Sequence, residues 1–197
     1  MVPERVRTRD PDRKKKIMSA ASELIARNGY HAVSMADIGQ RAGITGSGIY
    51  RHFEGKSTIL VSLFDEIIDD LLTGEAETLN SGDSSEEVLT RLVDDQVEFV
   101  VGKRALAQVY FTEIQNLPDD DSIRLRRKQR LYVEEWVHLL RETRRELDDA
   151  NARTLVHAAI GAVQSSLFHN VGLEEIRERE LLRNSALSVL ALERVVA

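Results

Sequence analysis

Residues 34–56 read SMADIGQRAGITGSGIYRHFEGK, and this stretch settles the class of the chain. Ser34 followed three residues on by Asp37 has the form of a hydroxyl-capped helix start. Ile38 and Ala42 fall four apart, on one face of that helix. Gly43 ends it, because glycine takes the left-handed backbone of a tight turn without a steric cost. Thr45 is a second hydroxyl, placed to cap a new helix. Ile49 and Phe53, four apart, face inward on this second helix. Gly46, Ser47, Tyr50, Arg51 and His52 are left on its other faces. Two short helices about a glycine turn form a helix-turn-helix, which lays its second helix in the DNA major groove.

Upstream, residues 1–9 are polar and aperiodic and are expected to be a disordered arm carrying Arg5, Arg7 and Arg9. Asp10-Pro11 reads as a cap with proline at the first helical position. Ile17, Ala20, Ala21, Leu24 and Ile25 form one stripe that ends at Asn28-Gly29. This helix covers the helix-turn-helix and completes a three-helix head, with Lys14, Lys15 and Lys16 within reach of phosphate. The chain carries −6 overall, but residues 1–56 carry +5 and the remainder −11. A basic head on an acidic body suits a module that meets phosphates with one end.

Downstream, a long fourth helix opens at Gly55-Lys56-Ser57. Ile59, Leu60, Leu63, Phe64, Ile67, Ile68, Leu71 and Leu72 form its apolar face, and Asp65, Glu66, Asp69 and Asp70 its acidic one. Lys56 at its start is expected to add charge to backbone N–H groups facing a phosphate. Asn80 to Asp83 reads as a loop. Ser84 and Glu87 form a capping box for a helix running to Gly102. A shorter helix stops at Pro118. A long one is expected over Ile123 to Leu147, a small-residue helix over Asn151 to Phe168, and a last helix over Glu174 to Val195. No segment alternates as a strand. The fold class is therefore all-α, with about nine helices. The head spans 1–56 and a helical body spans 57–197.

The run Ala42-Gly43-Ile44-Thr45-Gly46-Ser47-Gly48-Ile49-Tyr50-Arg51-His52-Phe53, followed by Lys56, resembles the signature of the TetR (tetracycline-repressor-like) family of bacterial regulators. The likeness covers Arg13 to Leu63; beyond it only the helix pattern matches. It implies a DNA-binding set of Ser34, Thr45, Gly46, Ser47, Tyr50, Arg51, His52 and Lys56. Gly46-Ser47-Gly48 stands where the family often has a lysine and one glycine, which leaves base contacts to backbone, Ser47 and Arg51. Gly39 stands where the family usually has alanine, a loss of ~1 kcal/mol in helix propensity. The resemblance also implies that the body encloses an effector and that the last two helices form a four-helix bundle in a homodimer. Residues for the effector are Val97, Val101, Tyr110, Phe111, Ile114, Tyr132, Trp136, Leu140, Ile160 and Gln164, a mainly apolar set with polar handles. Residues for the dimer are Leu155, Ala158, Ala159, Ala162, Ser166, Leu182, Ala186, Val189 and Leu190. The partners are then double-stranded DNA with a pseudo-palindromic operator, a small effector and a second copy of the chain. The run from Val109 to Pro118, with the arginine-rich helix after it, is similar to members that sense lipid-derived or acyl-CoA molecules.

Other classes fit less well. The sequence has no cysteine, GxSxG or phosphate-binding glycine loop, and its five histidines lack metal-ligand spacing. No enzyme, cofactor or metal site is expected. Hydrophobic residues make up 42% of the chain, enough for a core, and no run of roughly 18 apolar residues is present. The N-terminus lacks the pattern of a secretory signal, so the expected location is the cytoplasm, away from membranes. The alternative is a DNA-binding architectural protein without an effector, whose body would be fully packed.

Overall fold

The computed structural model describes residues 12–44, 46–79, 83–169 and 171–192, with backbone alone at 46, 47 and 73–79. All regular structure among these residues is helical. The order is α1 (Arg13–Asn28), α2 (Met35–Arg41), α3 (Gly46–Ile49), α4 (Lys56–Leu79) and α5 (Ser85–Val97). A π-helical segment, Glu98–Gly102, leads into α6 (Arg104–Glu113). Then follow α7 (Asp119–Thr143), α8 (Asp149–Gln164) and α9 (Glu175–Leu190), with short 3-10 turns after α6 and α8. No helix among the described residues is long and apolar enough to cross a membrane.

The local signals act where the chemistry places them. Ser34 and Ser84 each accept from the backbone N–H three residues on, and Asp37 and Glu87 each accept from the cap backbone in return. Gly29 and Gly43 adopt φ of 79° and 68°, the region open to glycine at helix ends. The apolar stripes of α1 and α4 merge into one core: Ile17, Ala21, Ile25, Ile38, Ile49, Ile59, Leu60 and Phe64 are all essentially inaccessible. α1 also packs on α6, and α4 on α5, α6 and α7, so the head is seated on the body along two helices.

Four spans differ from expectation, among them the small-residue helix, which runs Asp149–Gln164 and passes into a 3-10 turn. α7 starts at Asp119, directly after Pro118, because Asp119, Asp120 and Asp121 complement the helix N-terminus. It ends at Thr143. The last helix stops at Leu190, where Ala191 turns into the left-handed region with φ 54°. The helix expected to run straight to Gly102 widens to π geometry over its last five residues, which turns Phe99, Val100 and Val101 in succession toward the interior. The Asp10-Pro11 cap, the Arg5–Arg9 arm and Thr45 lie outside the described residues, as does most of the 80–83 loop.

Candidate nucleic-acid interface and effector cavity

The head presents its polar residues around α3. Ile49 is fully buried and Phe53 nearly so, which pins this single turn to α1 and α2. Tyr50, Arg51 and His52 follow directly and are exposed, Tyr50 at 59%. Ser34 is exposed too, but its hydroxyl serves the cap: it accepts from the Asp37 N–H at 3.1 Å and donates to Asp37 Oδ2 at 2.6 Å. The bond from the Ser34 hydroxyl, and after it the bond from the Ser34 backbone N–H at 2.9 Å, hold the Asp37 carboxyl below its ordinary range. Gly46 and Ser47 lie in α3 itself. Gly39, the departure from the family, is buried where the turn comes close. A Cβ there would lie 3.2 Å from the Ile44 carbonyl oxygen across the turn.

Lys56 sits differently from the phosphate contact expected of it. Its ammonium points inward, donating to the carbonyls of Tyr30 and Val33, the latter at 2.6 Å, and lying 4.2 Å from the centre of the Tyr30 ring. The lysine ties the start of α4 to the α1–α2 connection. Burial, then the Glu113 charge, raises the Tyr30 hydroxyl pKa, which places this tie against the end of α6.

The body contains a cavity of about 400 Å³ among α4, α5, the π segment, α6, α7 and α8. Of the residues expected there, Tyr110, Phe111, Tyr132, Ile160 and Gln164 line it. Val97, Val101, Ile114, Trp136 and Leu140 do not. All but the half-buried Ile114 are core residues, and Trp136 reaches the wall only through Tyr132, at 5.9 Å between ring centres. The Trp136 Nε1 is buried without a hydrogen-bond partner among the described residues. Tyr110 is stacked edge-on by Phe64 and Phe111, and burial pushes its hydroxyl pKa up to about 12, so it lines the site as a neutral phenol.

The remaining lining was not expected from the sequence. Leu71, Phe99 and Val133 extend the apolar wall; Gln96, Gln129, Arg126, Arg130, Arg153 and His157 make the rest polar. Arg153 is committed, with two bonds to Glu134 at 2.7 and 2.8 Å and another to Asp149. Arg126 and Arg130 make no ion pair among the described residues. Gln96 is 3% exposed as a whole residue and lies in the cavity lining, so a molecule in the cavity can meet its amide. The clue available in sequence was the phase of α7: Arg126, Gln129, Arg130 and Val133 recur at three and four. That stripe is polar, so a search for apolar periodicity passes over it.

The expected dimer residues divide. Ala159, Ala186, Leu190 and Ser166 are buried within one chain, where α8 packs on α9, and are therefore core. Leu155, Ala162, Leu182 and Val189 are half-buried, and Ala158 is exposed. Large apolar side chains are left in solvent instead at Phe168, Val171, Leu173, Ile176 and Leu181, in the α8–α9 connection and the first half of α9, and at Ile123 and Leu131 on α7.

Comparison with known proteins agrees with this architecture. A model of bacterial regulatory proteins of the tetR family matches residues 17–63. A second model, of the tetracyclin repressor-like C-terminal domain, matches residues 82–167. Together they cover about two thirds of the chain. The chain belongs to the TetR family. Members are transcriptional regulators that bind DNA through the helix-turn-helix. This TetR-family chain is 28% identical over 124 residues to the fatty acid metabolism regulator protein of Bacillus subtilis (strain 168), covering 63% of this chain and 62% of that protein. The chain thus spans less than two thirds of the length of the curated relatives it matches first. Among solved structures it resembles a TetR-family transcriptional regulator from Bordetella parapertussis 12822, with a TM-score of 0.83 and 20% identity over 95% of this chain and 100% of that one. It also resembles the transcriptional regulator FadR from Bacillus subtilis in complex with stearoyl-CoA, with a TM-score of 0.71 and 22% identity over 89% and 98% of the two chains. At such identities the structural likenesses speak for the fold.

Proposed function

We propose that this protein is a homodimeric repressor released from its operator by an amphipathic anion, an acyl thioester of coenzyme A being the class the cavity suits best. The observation that carries this is the cavity itself. It joins an aromatic and aliphatic wall to Arg126 and Arg130, which make no ion pair among the described residues, and to the amides of Gln96 and Gln129. A fully packed body would have no use for Gln96 in that position. The relationship to a fatty acid metabolism regulator and the fold shared with a stearoyl-CoA complex support the same ligand class.

In this reading residues up to 56 form the DNA-binding head. Ser47, Tyr50, Arg51 and His52 meet DNA directly, Thr45 and Gly46 present backbone, and Ser34 supports them through its cap. Lys56 positions the head. The body from 57 onward holds the effector and the second copy. Ligand acts on DNA only through different affinities in two states, a coupling of ~1–3 kcal/mol. α7 is the element able to transmit it, since one face lines the cavity and another grips α4 through ion pairs.

The test starts by selecting duplexes that the purified protein binds from a random pool. Binding of the selected duplex is then followed by fluorescence anisotropy with stearoyl-CoA, free coenzyme A or stearate added. The expected result is a selected site with two half-sites, released by the thioester and not by coenzyme A alone. If no acyl-CoA changes DNA binding, the effector class is wrong.

A further inference from the structure

The effector cavity has a neighbour. A smaller cavity of about 160 Å³ lies between α4, the end of α5 with its π segment, and the start of α6. Both cavities have Leu71 and Phe99 in their lining, so these two side chains are the partition between them. Beyond the partition the walls stay apolar at Ile67 and Leu106.

The two ends carry opposite charge. Arg126 and Arg130 stand on the side of the large cavity. The small one has three carboxylates in its lining, Asp70, Asp95 and Glu98, and the cations near them are engaged, Lys103 with Asp70 at 3.3 Å and Arg179 with Glu98. An anion with an apolar tail is therefore accepted one way round, its charge at the arginines and its tail pointing toward Phe99. Phe99 is held in place rather than loosely hung. It is 6% exposed, its ring lies 6.2 Å from Tyr110 and 6.5 Å from Phe111 between centres, and the π-helical backbone sets its direction. Wide helical turns of this kind recur at functional positions.

We propose that Phe99, with Leu71 beside it, is the end-stop that fixes the length of the effector's apolar tail. The inference rests on the larger cavity being the effector site. Truncating Phe99 merges the two cavities along the tail axis, and each further methylene seated is worth about fourfold in affinity.

The experiment measures affinity by calorimetry for straight-chain acyl-CoAs from hexanoyl to octadecanoyl, using the full chain and its variants Phe99→Ala, Phe99→Leu and Arg130→Glu. Wild type is expected to tighten with length up to an optimum and weaken beyond it. Phe99→Ala moves the optimum to longer chains, which gain about tenfold or more over wild type. Phe99→Leu keeps most of the buried volume and moves it less, so a folding defect in the alanine variant leaves the question answerable. Arg130→Glu weakens every length by a similar factor and leaves the optimum in place. An optimum unmoved in both Phe99 variants, with all lengths weakened alike, overturns the end-stop while the effector site stands. Wild type that binds none of the series overturns the effector site and the end-stop with it.

Discussion

Lys56 and Gln96 show how one side chain's surroundings reverse what its type suggests. A lysine at the start of a helix beside a DNA-reading element is a natural phosphate ligand, and sequence offers no reason to think otherwise. Its two carbonyl acceptors sit 26 and 23 residues upstream, and only the fold brings them to it. Lys56→Met should then behave as a stability variant. Losing charge-assisted bonds and stranding two carbonyls costs ~2 kcal/mol, which lowers the melting temperature by about 4–8 °C. The slope of log affinity against log salt should stay as in wild type. Arg51→Ala should do the opposite, leaving melting unchanged and flattening that slope by about one unit. A flattened slope for the lysine variant would return it to the phosphate contacts. Gln96→Leu takes an amide out of the cavity lining and should leave the melting temperature of the ligand-free protein within about 2–4 °C of wild type, the span of ~1 kcal/mol. The stabilisation given by acyl-CoA should shrink; equal ligand-induced shifts in both proteins would separate Gln96 from the effector.

Between α4 and α7 the acidic and basic faces, legible in sequence as solvated surfaces, turn out to meet. Asp65 accepts two bonds from Arg124, at 2.5 and 2.8 Å, and one from Lys128 at 3.1 Å, while Lys128 also reaches Asp69 at 2.7 Å. The Arg124 bond, against the cost of burial, holds the Asp65 carboxyl below its ordinary range. A carboxyl lowered by folding stabilises fully above its unfolded pKa, and loses that contribution as pH falls through the folded value. Asp65→Asn should therefore be less stable than wild type at neutral pH by about 1 kcal/mol, the scale of a partly exposed pair in a network. Their melting curves should converge as pH drops below about 4, where aspartate protonates. A gap that persists in acid would mean that packing, not charge, separates the two proteins. The asparagine variant should also bind acyl-CoA normally yet release DNA less, if α7 carries the signal. Caps and apolar stripes gave the helices away because they are local: Ser34, Ser84 and the α4 leucines need no distant partner. The π turn at Glu98–Gly102 left no such mark, since Glu-Phe-Val-Val-Gly suits an α-helix as well, and the cavity wall it creates at Phe99 was hidden with it.

The proposed dimer must place two heads on one duplex, and the exposed apolar side chains around the α8–α9 connection are the surface that could pair the two copies. Phases on α8 and α9 are ambiguous in sequence, because both helices carry apolar residues on more than one side. Ala186, Leu187 and Leu190 close the chain's own core, so a second copy meeting α8 and α9 would use what those helices leave exposed. That is Ile176, 74% exposed, and Leu181, 40% exposed, with Phe168 and Val171 at the preceding bend and Ala158 and Gly161 on α8. Scattered apolar residues on a surface are ordinary, but several large ones exposed within one short stretch of chain, 168–181, suit an association surface. Ile176→Asp should fold as well as wild type, because the side chain touches little within its own chain. In the dimer it buries an unpaired charge, so sedimentation should show a monomer. A single head keeps only one half-site contact, and losing the linked second one lowers affinity for the full operator by about 10²–10⁴-fold. Affinity for an isolated half-site should be unchanged. Ala159→Asp serves as the contrast: it is fully buried within the chain and should lower the melting temperature before it affects association. A dimer that survives Ile176→Asp with its operator affinity intact would move the twofold axis to another face, and the separation of the two reading helices with it.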